Sequence, residues 1–263
     1  MTTSKGIDSY RLKLTALIFM ILDHICSELN VPAHIRLDWP LWPQWISVIT
    51  RFVSPLFLYL MLEGFYHTRS RIKYLKRLFI ASFIMTGGNV LINYIFHNVN
   101  SDTGKNTFRS LIAGHNIFLT LAVLFVFIWC LENIKRKEHR GISIFLALVT
   151  TFFSIILEGG FYLLPIAFVC WFFRGSKPLQ CVGIGVWSVV LFILALISYS
   201  SSSTTLYSHL CYDNQWAMFL TIFFILLYNG ERGKNTKFSK YMFYVIYPIH
   251  IWILMIARFM ILK

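Results

Sequence analysis

Apolar residues come in blocks along this chain. Nine such blocks, at about 14–30, 44–66, 78–97, 117–133, 142–157, 160–173, 179–199, 215–229 and 241–262, are separated by short polar stretches. A block of ~20 residues matches the hydrocarbon thickness of a bilayer at 1.5 Å per helical residue. Within that core a helix satisfies its own backbone hydrogen bonds inside one segment. The pattern predicts an all-α, polytopic membrane helical bundle of about nine transmembrane segments, forming one integral-membrane domain over residues 1–263. Segments five and six are short for a crossing, and only the turn around Gly159-Gly160 separates them. They are candidates for a shallow hairpin lining a vestibule.

Composition agrees. Of the 263 residues 57% are hydrophobic and 13% are charged, and the mean hydropathy is +0.65. A soluble domain carries about 25% charged residues, so this chain lacks the polar surface of a cytosolic enzyme, a disordered regulator or a secreted scaffold. The basic N-terminus followed by an apolar stretch is like a signal peptide. No small-residue cleavage site follows it, however, and Asp23-His24 interrupts the stretch, so a retained first span is expected. The five cysteines form no C-x-x-C pair and read as small core residues.

The formal charge of +13 changes the picture through its distribution. With nine spans, 18 of the 24 Lys and Arg fall in the N-terminus and the even-numbered loops, the densest run being Arg69, Arg71, Lys73, Lys76 and Arg77. Lys and Arg accumulate on the cytoplasmic side. The bias predicts a cytoplasmic N-terminus and an outside C-terminus, with topology rather than nucleic acid as its cause.

Ionisable groups within apolar segments are costly and tend to have a partner or a task. Asp23, His24, Arg51, Glu63 and His250 stand out, with Glu158 and Arg258 nearer the outer interface. His24 follows Lys13 by eleven residues, almost three helical turns, so both lie on one helix face, ~16 Å apart. His250 lies ~14 Å from the same edge and follows Tyr247-Pro248, a proline kink that opens room for a polar pocket. Arg51 is placed to meet Asp23 in a buried pair, and Glu63 to pair with a loop lysine. His34, His97, His139 and His209 look like loop residues, and Phe57, Leu58 and Met61 like packing. No metal constellation, Walker, G-x-S-x-G or G-x-G-x-x-G motif occurs.

A cationic inner mouth with an imidazole three turns deeper fits a donor whose phosphates bind at the cytoplasmic face and whose reactive end reaches into the membrane. Coenzyme A has that shape. A neutral His24 would take the proton of an attacking amine or hydroxyl. Asp23 points about 100° away on the helix, so it orients Arg51 or tunes the field.

The residues resemble the TraX family of membrane acetyltransferases, named for the F-pilin acetylase. The matching stretches are Leu12-Lys13-Leu14 leading to Leu22-Asp23-His24, Arg51 with Ser54-Pro55-Leu56-Phe57, Glu63 to Arg69, Tyr74 to Leu78, Asn116-Ile117-Phe118, Leu227 to Gly230 with Arg232-Gly233, and Lys240-Tyr241 through Tyr247-Pro248-Ile249-His250. A basic residue, ten intervening residues and histidine on the first span is similar to the signature of the broader acyltransferase-3 group. The chain departs from the family pattern at Thr86-Gly87-Gly88-Asn89, where a proline-like break is expected, and at Glu158-Gly159-Gly160.

The resemblance implies a multi-pass enzyme of the bacterial cytoplasmic (inner) membrane. Such an enzyme takes acetyl from cytoplasmic acetyl-CoA, without a metal, to an acceptor at or beyond the outer face. The acceptor it suggests is a pilin N-terminal amine, which connects the chain to conjugation. His24, Asp23 and His250 would be catalytic. Lys13, Arg69, Arg71, Lys73, Lys76 and Arg77 would hold the donor, and Arg51, Glu63, Asn116, Tyr247 and Glu158 would line the pocket. Acetylation of a glycan or lipid-linked sugar is the close alternative. A proton-coupled small-solute transporter and a non-catalytic assembly factor for a surface appendage remain from other classes.

Overall fold

The computed structural model of the protein describes residues 6–29, 44–98, 107–200, 205–234 and 236–261. His34, Arg36, Lys105 and Lys263 lie outside these residues. The described residues form α1 (Ser9–Leu29), α2 (Trp45–Ile49), a 3₁₀ turn (Thr50–Phe52), α3 (Val53–His67), α4 (Arg71–Ile95), α5 (Phe108–Leu111), α6 (Ile117–Arg136) and α7 (Arg140–Ile156). The chain continues through α8 (Gly160–Phe172), α9 (Lys177–Tyr199), α10 (Leu206–Tyr212), a second 3₁₀ turn (Gln215–Leu220), α11 (Thr221–Leu227) and α12 (Lys237–Ile261).

Each of the nine apolar blocks is helical, but fewer are long and apolar enough to cross a bilayer. Five helical stretches qualify, 45–67, 71–95, 117–136, 177–199 and 241–261. A sixth is added if α10 and the 3₁₀–α11 stretch, bent by 62° at their junction, make one span. The expected nine is thus reduced to five or six by length and composition. The reasons are local. α1 has 21 residues but carries Arg11, Lys13, Asp23 and Glu28, while α7 and α8 have only 17 and 13 residues.

The helices carry the burial pattern that lipid favours. In α7 the buried face is small and polar (Ser143, Ala147, Thr150, Ser154), whereas Ile142, Phe145, Leu148, Phe152 and Ile156 are exposed. In α9 Gln180, Cys181, Ser188 and Ala195 are inside, and Val182, Val186, Val189, Ile193 and Ile197 are outside. Small residues let helices approach closely, and large apolar ones face hydrocarbon at no cost.

Two compact units divide the chain, each discontinuous in sequence: Met1–His67 with Phe161–Lys240, and Thr68–Gly160 with Tyr241–Lys263. In the first, α1 packs on α3, α2 and the 3₁₀ turn and buries a ridge of i, i+4 residues, Leu12, Ala16, Met20, His24 and Glu28. Phe57, Leu58 and Met61 of α3 are core, as expected. Between α2 and α3 the 3₁₀ turn tightens the backbone, and the Phe52 carbonyl accepts a bond from the Thr221 hydroxyl at 3.1 Å. The Phe52 ring stacks on Phe224 with centroids 4.2 Å apart.

The start of α1 is clamped by the Leu-Tyr-Asn-Gly segment. Ile7 bridges Tyr228 in parallel, its N–H donating to Leu227 O at 2.8 Å, and the Ser9 N–H donates to Glu231 O at 2.8 Å. Asp8 caps the helix by accepting from the Arg11 N–H at 2.8 Å. Gly233 has φ +70°, and a Cβ there would lie 2.4 Å from the Asp8 carboxyl, so this close approach needs glycine.

In the second unit α6 packs against α7 and α4. The segment 107–116 runs back along α4, held by three asparagines. Asn98 donates to Ser110 O at 3.3 Å, Asn93 to Leu111 O and Ala113 O at 2.9 and 2.7 Å, and Asn89 to His115 O at 3.2 Å. α4 continues unbroken through Thr86-Gly87-Gly88-Asn89. At Gly88 it admits the Trp252 ring, 2.2 Å from where a Cβ would stand, and Trp252 Nε1 donates to Asn89 Oδ1 at 3.2 Å.

Candidate active site

Lys13, Asp23, His24, Arg51 and Glu63 lie in the first unit. The pairing of the first two apolar segments is as expected: Arg51 Nη2 is 3.7 Å from Asp23 Oδ1, with the side chains 25% and 22% exposed. The Thr50 hydroxyl donates to the same carboxylate oxygen. Both partners sit on the 3₁₀ turn, whose altered pitch presents consecutive side chains to α1. Arg51 Nε is buried without a hydrogen-bond partner among the described residues. His24 occupies the protein-facing ridge of α1 and is 8% exposed.

Lys13 is half-buried on the same helix. Burial, and then the charge of Arg232, push its ammonium below the ordinary lysine range. Sequence reasoning missed Arg232 as its neighbour. The signal lay in Arg232-Gly233, whose segment pairs with the chain just before Lys13.

Among the described residues Glu63 pairs with no loop lysine. Its carboxylate is 3.5 Å from His67 Nε2, one turn on in α3. Nearby, Lys177 Nζ donates to Tyr228 O at 2.5 Å, and the Arg174 guanidinium covers the Tyr66 ring at 3.0 Å from its centroid.

The second unit holds Arg69, Arg71, Lys73, Lys76, Arg77, Asn116, Glu158, Tyr247 and His250. Ser70 caps α4 by accepting from the Lys73 N–H, so the basic run occupies the first turns of that helix. Arg69, Lys73 and Lys76 are exposed. Arg77 is half-buried, its guanidinium 5.3 Å from the Tyr74 ring centroid, and its Nε has no hydrogen-bond partner among the described residues.

Asn116, Glu158, Tyr247 and His250 are brought together around the start of α6. Asn116 caps this helix by accepting from the Leu119 N–H at 3.3 Å. Its amide donates to Ser82 O at 3.1 Å and Thr86 Oγ1 at 2.9 Å. Glu158 accepts from the Asn116 N–H with one oxygen and from His115 Nδ1 with the other. The Thr120 hydroxyl donates to the Glu158 carbonyl at 2.8 Å.

The Tyr247 hydroxyl accepts from the Ile117 N–H at 3.4 Å, and its ring stands edge-on to His250 with centroids 5.5 Å apart. His250 Nδ1 is 2.9 Å from Ile246 O. A carbonyl only accepts, so Nδ1 carries the proton and Nε2 is the basic nitrogen of the neutral ring.

His115 received no assignment from the sequence. Its partner stands 43 residues away across two helices, beyond any local spacing rule. The available signal was the i, i+4 pair Asn89 and Asn93, amides on one face of an apolar helix that require a polar partner.

The TraX protein family model matches residues 9–258. The chain belongs to the TraX family. Lys13, His24, Arg51, the α6 cap and the Leu227–Gly230 stretch all lie within that match. The chain is also similar to a probable fimbrial assembly protein FimC, serogroup H1, of Dichelobacter nodosus, 24% identical over 260 residues covering 97% of this chain and 98% of that protein. No solved structure matches. Among the described residues no group of His, Cys, Asp and Glu is arranged to hold a metal ion.

Proposed function

We propose that this TraX family member is an integral-membrane acetyltransferase of the bacterial inner membrane. It moves an acetyl group from cytoplasmic acetyl-CoA to an acceptor amine at or beyond the outer face, with a pilin N-terminus as the acceptor. The observation that carries the reading is on α1: a buried, protein-facing His24 eleven residues past a half-buried cation and next in sequence to Asp23, which holds Arg51 and Thr50. Family membership supports the activity, and the fimbrial name of the relative supports a pilus protein as acceptor.

On this reading the N-terminus is cytoplasmic, and Lys13 holds a phosphate of the donor, whose pantetheine arm follows α1 towards His24. His24 accepts the proton of the attacking nitrogen as the thioester carbonyl is attacked. The carbon–sulfur bond then breaks, and the thiolate takes that proton back to leave as free coenzyme A. Asp23 fixes Arg51, whose cation stabilises the negative charge developing on the carbonyl oxygen. The exposed cations Arg69, Lys73 and Lys76, with the half-buried Arg71 and Arg77, steer the polyanionic donor.

The experiment is transfer of radiolabelled acetyl from acetyl-CoA to an N-terminal pilin peptide by the purified protein in lipid nanodiscs. The wild type transfers label, and His24→Ala lowers the rate roughly 10²–10⁴-fold. A His24→Ala protein as fast as its parent removes His24 from the mechanism.

A further inference from the structure

The carboxylate–imidazole pair of the second unit is not used by that mechanism. Glu158 accepts from His115 Nδ1 and from the Asn116 N–H. A carboxylate offers about four acceptor sites, so two remain. The side chains of His115 and Glu158 are 32% and 35% exposed, so a guest can reach the carboxylate. Among the described residues no Lys or Arg pairs with Glu158, so its negative charge is met only by an imidazole and the backbone at the start of α6.

The pair is also held rigidly. Asn89 anchors the His115 carbonyl, Trp252 anchors Asn89, and Thr120 anchors the Glu158 carbonyl. Because the carboxylate accepts from Nδ1, the proton of the neutral ring sits there and Nε2 is the base. This is the division of labour of an acid and a histidine in a hydrolytic triad. The pair lies towards the end of α4 away from its basic first turns, and at the end of α6 away from Lys135 and Arg136. By the positive-inside rule that is the outer half.

We infer that Glu158 and His115 form a binding site for a primary ammonium group, the acceptor's, and take its first proton. The inference rests on the proposed acetyl transfer and assigns the residues that recognise its acceptor amine. A sugar hydroxyl can donate one hydrogen bond to the carboxylate but brings no charge to offset it, whereas an ammonium brings three donors and a positive charge. An ammonium donates to the open Glu158 positions and passes one proton to His115 Nε2. The products are a free amine and an imidazolium facing the carboxylate. An α-amino group near pKa ~8 and an imidazole near ~6.5 are close enough for this exchange. The imidazolium returns its proton to outside water. The amine's second proton leaves during transfer and ends on the thiol of coenzyme A.

The test uses the full chain in nanodiscs, with Ala-Ala-Ala and its N-acetylated form as probes, read by calorimetry and by acetyl transfer. Wild-type protein is expected to bind the free-amine peptide at least tenfold more tightly than the acetylated one. Glu158→Gln and His115→Gln are expected to abolish that preference. They should raise KM for the amine tenfold or more and leave KM for acetyl-CoA within twofold. If Glu158→Gln melts early because it also caps α6, His115→Gln alone carries the comparison. Unchanged amine preference and amine KM in folded variants overturn the inference while the acetyltransferase stands. Amine-selective binding that needs Glu158, without acetyl transfer by the wild type, upholds the ammonium site and overturns the proposed function.

Discussion

Asp23 gathers a guanidinium and a hydroxyl at one carboxylate. Removing the acid strands Arg51, whose Nε already has no hydrogen-bond partner among the described residues. The pair is about one-quarter exposed, between the surface regime, where a pair contributes little, and the buried one, where loss of one partner is severe. Asp23→Ala is expected to cost about 1–3 kcal/mol, and Asp23→Ala with Arg51→Leu distinctly less, because the stranded charge is gone. Thermal melting in detergent measures both. Lys13 yields a pH prediction. Its ammonium titrates below the usual lysine value, through burial and then Arg232. The charge that attracts a phosphate is therefore present at low pH and lost as pH rises towards the ordinary value of about 10.4. KM for acetyl-CoA should climb along that rise, and Lys13→Arg, which stays charged, should flatten the climb. The Asp23–Arg51 pair was legible because each partner interrupts an apolar block, whereas Arg232, in a polar stretch, gave no sign of lying near Lys13. His115 was not legible either, since a histidine in a polar stretch looks ordinary until the fold supplies Glu158.

Helices were legible wherever a block was long and uninterrupted, because burying an apolar segment in lipid leaves the backbone no other partner than itself. Where polar residues broke a block, the sequence misled. The eighth segment starts at Gln215 as expected, but α10 precedes it across a 62° bend at Asp213-Asn214, where the polar residues read as a plain loop. The 3₁₀ turn at Thr50–Phe52 left no mark on the apolar pattern, although it sets the direction of Arg51. The return of segment 107–116 along α4 is an element-scale feature with its own consequence. Asn116 ends that segment, caps α6 and ties it to Ser82 and Thr86. Asn116→Ala loses the cap, worth about 1 kcal/mol, and leaves the Ser82 and Thr86 oxygens one donor short in a nearly dry place. A loss of about 2 kcal/mol is expected, read as a lower melting temperature. Asn116→Asp, which retains the cap but cannot donate to Ser82 O, should fall between.

At the scale of the whole molecule, charge decides direction. A transferase fed by cytoplasmic acetyl-CoA needs its donor-side cations inside. The basic residues of α4's first turns and of the Lys135–Arg140 stretch belong to that side under the positive-inside rule. Parity makes this testable without an exact count. α7 and α8 are 17 and 13 residues long. Whether both cross or neither does, they add an even number of passes. With α1 counted, the five long stretches and the bent α10–α11 pair give an odd remainder, so the termini are expected on opposite faces. Alkaline phosphatase fused after Lys263 should then be active, since its disulfides form only outside, and a fluorescent protein there should be dark. Cysteine placement supplies the internal check, because the five native thiols are all buried. A membrane-impermeant maleimide on intact cells should label Phe108→Cys, at a residue 78% exposed between α4 and α6. It should reach Lys137→Cys only after the cells are opened. The reverse pattern would put the cations outside, away from the cytoplasmic pool of acetyl-CoA, and leave α1 without a donor to hold.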